Sequence, residues 1–390
     1  MNNHWKYKKI GDVCTVERGG SPRPIDQFIT DDENGINWIK IGDTTDSMYI
    51  TETAQKIIPE GMKKSRYVKP GDFLLSNSMS FGRPYILAID GCIHDGWLVL
   101  RDDKEQFDKR YLYYYLSSKT TYDKFKSMAV GGVVNNLNSE MVRGVSVPVP
   151  NKEEQADIAD LLDHVKNVID ERKEEINLLD NLIKARFVEF FGDPVQNDRR
   201  WETDTVENLC SEIYGGGTPS KAHLEYYEDG NIPWVSSKDM KSDVISDSQI
   251  HITQLGVNNS TAKMVPVNSV IMVIRSGILK HTLPVAINSV PITVNQDLKV
   301  FIPGERILTR FLAVQFKMHE KDILSGVRAV TADNIEFNSL KQRNMIVPPI
   351  ELQQRYVSTL EQIDKSKVVV QKALNEAQTL FDSLMQEYFG

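Results

Sequence analysis

Apolar positions follow two different rhythms along this chain. From residue 158 onward they recur in steps of four and three, as Ile158, Leu162, Val165, Ile169, Ile176, Leu179, Ile183 and Phe190, with Arg172 and Arg186 at two places in the series. Shifted by 198 residues, the series returns as Tyr356, Leu360, Ile363, Lys367, Val370, Leu374, Ala377, Phe381, Leu384 and Tyr388. A mean step of about 3.5 keeps one helix face apolar, and no proline interrupts either run, so the spacing predicts long helices over 151–192 and 350–390. At about 1.5 Å per residue each reaches roughly 55 to 60 Å, more than the flank of a domain of about 145 residues offers. Two helices each lying on its own domain are one arrangement; the length favours a pair packed together as an antiparallel coiled coil. Aligned in opposite directions, Arg172, Arg186 and Lys367 face Leu374, Leu360 and Leu179, past which long charged side chains can snorkel.

The remaining chain reads as short strands and turns. Val68-Lys69-Pro70-Gly71-Asp72 leads into the apolar run Phe73-Leu74-Leu75, and Val265-Pro266-Val267-Asn268 leads into Val270-Ile271-Met272-Val273 in the same way. Helical stretches near 108–127 and 306–325 also pair up. The correspondence is general: Trp5 recurs as Trp201 and Trp38 as Trp234, both 196 residues on. Gly19-Gly20-Ser21-Pro22 resembles Gly216-Gly217-Thr218-Pro219, and Val147-Pro148-Val149-Pro150 followed by Gln155 resembles Val347-Pro348-Pro349 followed by Gln354. Glu189-Phe190-Phe191-Gly192 returns as Glu387-Tyr388-Phe389-Gly390. An internal repeat organises the chain. The fold class is α+β, with mixed domains at 1–150 and 193–349, each followed by a long helix, related by a pseudo-twofold.

Composition changes this picture little, except through charge. Hydrophobic residues at 41% and charged residues at 26% are the usage of a folded soluble chain. No apolar run approaches the roughly 20 residues of a bilayer span, and the polar start Met1-Asn2-Asn3-His4 lacks the core of a signal peptide, so a cytoplasmic place and no membrane are expected. Cys14, Cys92 and Cys210 stand apart, with no CxxC or Cys/His cluster for zinc, and read as reduced structural thiols. The net charge of −8 argues against a basic nucleic-acid binder until it is located. The segments 151–192 and 350–390 carry seven of those eight charges, which leaves the domains near neutral.

The Gly-Gly-x-Pro turns, the Pro70-Gly71-Asp72 strand entry, the Asn295-Gln296-Asp297-Leu298 segment, the Pro-rich exits and the two long helices occur in doubled order. In that order the whole chain resembles the specificity subunit of type I restriction-modification systems. The resemblance implies two target-recognition domains, each reading one half of a split, asymmetric double-stranded DNA sequence, with the helices setting the gap. It also implies docking of two modification subunits, which bind S-adenosylmethionine and methylate adenine. Restriction subunits, which use ATP and magnesium, would join through them. No cofactor is expected on this chain.

Catalytic motifs are missing. Gly215-Gly216-Gly217-Thr218-Pro219-Ser220-Lys221 lacks the order of a phosphate loop, no Asn-Pro-Pro-aromatic stretch of an adenine methyltransferase occurs, and the seven histidines include no HExxH. The chain is therefore expected not to be an enzyme by itself. Arginine reads guanine and asparagine or glutamine reads adenine, while lysine and hydroxyls hold phosphates. Candidates of these types are Arg23, Lys40, Ser76, Asn77, Ser78, Arg83, Asn135 and Asn136 in the first domain. In the second they are Lys221, Lys238, Arg275, Lys280, Arg328, Thr331 and Asn334. Solvated hairpin tips and self-bonded turns explain the same residues without DNA. A two-domain coiled-coil scaffold that binds protein or carbohydrate is the competing function.

Overall fold

The computed structural model describes residues 5–77, 82–129, 136–329 and 333–390. It divides into two compact units, 1–173 with 372–390, and 174–371. Each unit therefore takes part of each long helix.

In the first unit a five-stranded sheet is built on Phe73–Ser76, whose four residues are all buried. Its neighbours are Trp97–Arg101 and Pro84–Leu87, both antiparallel to it. The strand entry works as its sequence suggests: Gly71 has φ +90°, a conformation that favours glycine, and Asp72 N–H donates to the Lys69 carbonyl at 3.0 Å. A second five-stranded sheet contains Ile36–Ile39 beside Gly91–Ile93. The expected helical stretch is two helices, Lys109–Ser117 and Lys119–Ala129. Asp108 caps the first by accepting from the N–H groups of Arg110 and Tyr111.

The second unit repeats this plan. Val270–Val273, again wholly buried, lies between Leu298–Pro303 and Val285–Asn288. Asn268, with φ +65°, takes the place of Gly71. Ile232–Val235 pairs with Thr293–Val294 as Ile36–Ile39 pairs with Gly91–Ile93. Thr309–Met318 and Glu320–Ser325 stand for the two helices of the first unit.

The long helices run over Lys152–Phe191 and Ile350–Phe389. Gln155 shows how the first leaves its domain. Its Nε2 donates to the carbonyls of Pro150 and Gln106, and its Oε1 accepts from the Asp108 N–H. Gln353 makes the same three bonds, to the carbonyls of Pro348 and Arg306 and from the Leu308 N–H. The structural partner of Gln155 is thus Gln353, not Gln354; the sequence match was displaced by one residue. In the second unit the helix segments are antiparallel: Lys367 reaches Asp180, and Tyr356 reaches the Ile183 carbonyl at 3.1 Å. Lys367 does not snorkel past Leu179. It is held between Asp180 at 2.6 Å and Asp243 at 2.9 Å, because a loop of the domain brings a second carboxylate to the seam. In the first unit Ile158, Ala159 and Leu162 share one core with Phe381, Leu384 and Phe389.

Candidate nucleic-acid interface

In both domains the Gly-Gly turn closes over the end of the same strand. Gly19 and Gly20 donate to the carbonyls of Trp97 and Ile93, and Gly217 donates to that of Val294. A Cβ on Gly19 would stand 2.2 Å from the His94 carbonyl oxygen, and one on Gly216 1.9 Å from that of Val294. Only glycine allows this approach. The hydroxyl two residues on then bonds a side chain of the facing segment: Ser21 Oγ donates to Asp95 Oδ1 at 2.9 Å, and Thr218 Oγ1 to Gln296 Oε1.

Beside the first turn lies a cleft of about 630 Å³ lined by Arg23, Trp38, Lys40, His94 and Asp95. The structure brings Arg23 and Lys40 to one place. Arg23 is 82% exposed and 3.5 Å from Asp95, while Lys40 Nζ donates to Gln55 at 2.7 Å. Burial would raise the Asp95 carboxyl, but the Ser21 hydroxyl and the neighbouring His94 and Arg18 hold it below its ordinary value. Trp38 meets His94 edge-on, with ring centroids 6.1 Å apart.

The hairpin candidates separate. Ser76 and Asn77 are buried, not on a solvated tip: Ser76 Oγ accepts from the Arg83 N–H at 2.9 Å, and Asn77 Nδ2 donates to the Asp95 carbonyl at 2.9 Å. These bonds hold the strand end, so this pair supports the turn from beneath. Arg83 lies over the Tyr85 ring, 3.6 Å from Asp46, and lines another cavity with Tyr113 and Phe381. Asn136 is exposed. Ser78, Asn135 and Thr331 lie outside the described residues.

In the second domain Arg275, Lys280 and Asn334 come together around two carboxylates. Arg275 pairs with Asp297 at 2.5 Å, and its backbone bridges to Asn334. Lys280 Nζ stands 3.8 Å from Asp333. The Arg328 backbone pairs with Asn334, and only its backbone is described. Lys221 and Lys238 are exposed, apart from this group. Matching bonds equate Lys40 with Ser236, since both N–H groups are accepted by an aspartate three residues on, Asp43 and Asp239.

His94, Asp95, Ser21 and Thr218 escaped the sequence reading. His94-Asp95-Gly96-Trp97 and Asn295-Gln296-Asp297-Leu298 share no residue at matching positions, so only strand register equates them. No group of three or more His, Cys, Asp or Glu residues arranged for a metal is found among the described residues. None of their helices is long and apolar enough to cross a membrane. The three cysteines are free, and burial pushes the thiols of Cys14 and Cys210 up to about 12.

Among curated proteins the chain is 30% identical over 265 residues to the type I restriction enzyme EcoR124I/EcoR124II specificity subunit of Escherichia coli, covering 65% of this chain and 63% of that subunit. It is 22% identical over 404 residues to the MjaIX specificity subunit of Methanocaldococcus jannaschii, covering 98% and 91%. The solved type I restriction-modification S subunit from M. genitalium shares the fold, with a TM-score of 0.55 at 14% identity over 100% of this chain and 97% of that one. The family described as Type I restriction modification DNA specificity domain matches twice, at residues 2–180 and 199–378. With both copies of that domain spanning nearly all of its length, the chain belongs to the family of type I restriction-modification specificity subunits.

Proposed function

We propose that this chain reads a split, asymmetric sequence in double-stranded DNA, with domains 1–150 and 193–349 each taking one half. The observation that carries the reading is a doubled frame with unlike contents. Glycine turn, tryptophan and aspartate cap recur in both domains, while the side chains beside them differ, as two unlike half-sites require. The candidate arginines are paired with carboxylates at exposed positions, as in Arg23–Asp95, Arg83–Asp46 and Arg275–Asp297. Such pairs are each worth about 1 kcal/mol or less, so DNA can replace the carboxylate at small cost. The helices at 151–192 and 350–390 fix the gap and dock two modification subunits, through which restriction subunits join. S-adenosylmethionine, ATP and magnesium belong to those partners; this chain supplies recognition and no catalysis, in the cytoplasm.

Exchanging residues 1–145 for the equivalent domain of a relative tests the reading. The methylated sequence, mapped genome-wide in cells carrying the whole complex, should change in one half only. A change in both halves would show that the domains do not read independently.

A further inference from the structure

The strand registers align the two domains residue by residue where the sequences do not. Trp38 and Ile39 pair with Cys92 and Ile93, and Trp234 and Val235 pair with Thr293 and Val294. Four residues on, Trp97 lies opposite Ser76, and Leu298 lies opposite Val273. Between these fixed points no residue is inserted, so His94, Asp95 and Gly96 correspond to Asn295, Gln296 and Asp297. Further bonds agree: Asn77 N–H donates to the Gly96 carbonyl at 2.9 Å, and Ile274 N–H to that of Asp297 at 2.9 Å.

At one position of this segment the frame is constant and the side chain is not. Residues 95 and 296 each receive the hydroxyl of the glycine turn, Ser21 or Thr218, and each stands where a backbone approach that only glycine permits presses the turn on the strand end. Both carry a polar side chain that reaches solvent: Asp95 is 30% exposed and Gln296 is exposed. The hydroxyl also orients what it holds. With Thr218 bonding Oε1, the exposed Gln296 amide still offers its Nε2 hydrogens and a second lone pair on Oε1, the donor and acceptor pair that fits N7 and N6 of adenine. Asp95 offers acceptors alone. Its Oδ1 is bonded by Ser21 and lies 3.0 Å from His94 Nε2, and its Oδ2 is 3.5 Å from Arg23. A carboxylate facing a base accepts from the N4 amine of cytosine.

Resting on the DNA-reading function above, we propose that Asp95 and Gln296 are equivalent base-reading positions, with Asp95 specifying a cytosine and Gln296 an adenine, each set in place by the hydroxyl of its own turn.

The test uses the full chain with its modification subunits and a random duplex DNA library. Gln296→Ala should relax one adenine position in one half-site, lowering discrimination there about 5- to 150-fold, and leave the other half unchanged. Asp95→Asn should alter one cytosine position in the opposite half. Thr218→Val, which keeps Gln296 but frees its amide, should relax the same adenine less strongly than Gln296→Ala. An unchanged sequence preference in the first two variants would overturn the proposal. So would uniform weakening across all sequences, which marks a phosphate contact. If the unsubstituted complex enriched no two-part sequence, the DNA-reading function itself would fall, a result distinct from either.

Discussion

The two units hold their helices by different chemistry at equivalent places. In the first, tyrosines do the work: Tyr111 and Tyr115 meet Phe389 edge-on at 5.5 and 5.9 Å, and Tyr114 donates to Asp163 at 2.5 Å. Arg110 adds bonds to Asp160 and Asp163. Burial pushes the Tyr115 hydroxyl up to about 12, so it stays a donor, in this case to the Ser146 carbonyl. In the second, Phe311 replaces Tyr111 and stacks on Phe187 at 5.4 Å, with Phe191 and Tyr356 closing the cluster. Gln315 replaces Tyr115 and makes two bonds to the backbone of Ile346. The arginine tie is kept, as Arg310 to Asp364 at 2.7 Å, and a chain is added to it, Lys317 to Asp243 to Lys367 to Asp180. The repeat thus preserves the places of attachment and only some of the groups, the glutamines Gln155 and Gln353 and the arginines Arg110 and Arg310, so most residue roles pass between domains through strand register rather than through identity.

The sharpest way to break this comparison is to remove the central ring from each cluster. Phe187 is wholly buried and touches Phe191, Phe311 and Tyr356, so Phe187→Ala should cost about 3 to 5 kcal/mol. Phe389, at the last position of its helix, is 4% exposed and can be partly replaced by its neighbours. Phe389→Ala should cost less, about 3 kcal/mol, at the lower end of such truncations. Urea unfolding followed by tryptophan emission measures both, and equal losses would show that the two attachments are equivalent after all.

A smaller effect separates the units by pH. His319 occupies the break between the paired helices of the second unit, where the first has Ser118. It is 3% exposed, neither ring nitrogen has a partner among the described residues, and burial with the nearby Arg343 brings its imidazole down to about 4. The unfolded imidazole takes its proton near 6.5, so between that value and about 4 the unfolded chain binds a proton that the folded one refuses. Stability should fall as pH falls through this window, by at most about 3 kcal/mol, and not change from this cause above it. His319→Leu should flatten that part of the pH profile. An unaltered slope would sink the assignment.

Much of this architecture was legible beforehand because it is written in periodicity. The heptad series located both long helices, and the Pro70-Gly71-Asp72 turn located the central strand by a backbone demand that few residues meet. The candidate interface was less legible. Ser76 and Asn77 look like a polar tip, yet tertiary packing turns both inward, and local composition has no signal for that. Asp95 lies in no motif, and Gln296 lies in one that gave it no role of its own; both acquire meaning only when a turn some 75 residues away delivers a hydroxyl to each. Lys367 reads as a stray charge in an apolar seam because the carboxylate that explains it, Asp243, lies 124 residues earlier.

That lysine supplies the smallest test of the comparison. Burial works against ionising Asp243, but Lys317 and Lys367 outweigh it and hold the carboxyl far below the usual carboxylate range. Because the folded value is the depressed one, this stabilisation is complete above the unfolded value near 4 and is lost as pH falls below it. Asp243→Ala leaves Lys367 with Asp180 but strands Lys317, whose side chain is 28% exposed. Losing one partner of a buried pair costs about 3 to 5 kcal/mol, and partial exposure brings the expectation for this site to about 2 kcal/mol. Arg110→Ala in the first unit should cost only about 1 kcal/mol, since Asp160 is 66% exposed and Asp163 keeps its bond from Tyr114. Thermal unfolding at pH 7 ranks the two, and repeating it at pH 3 should lower the cost of Asp243→Ala, because the Asp243 contribution fades below the unfolded carboxylate value. If Arg110→Ala proved the more costly, the lysine chain would add little to the attachment of the second unit, which would rest on the aromatic cluster and on the Arg310–Asp364 pair.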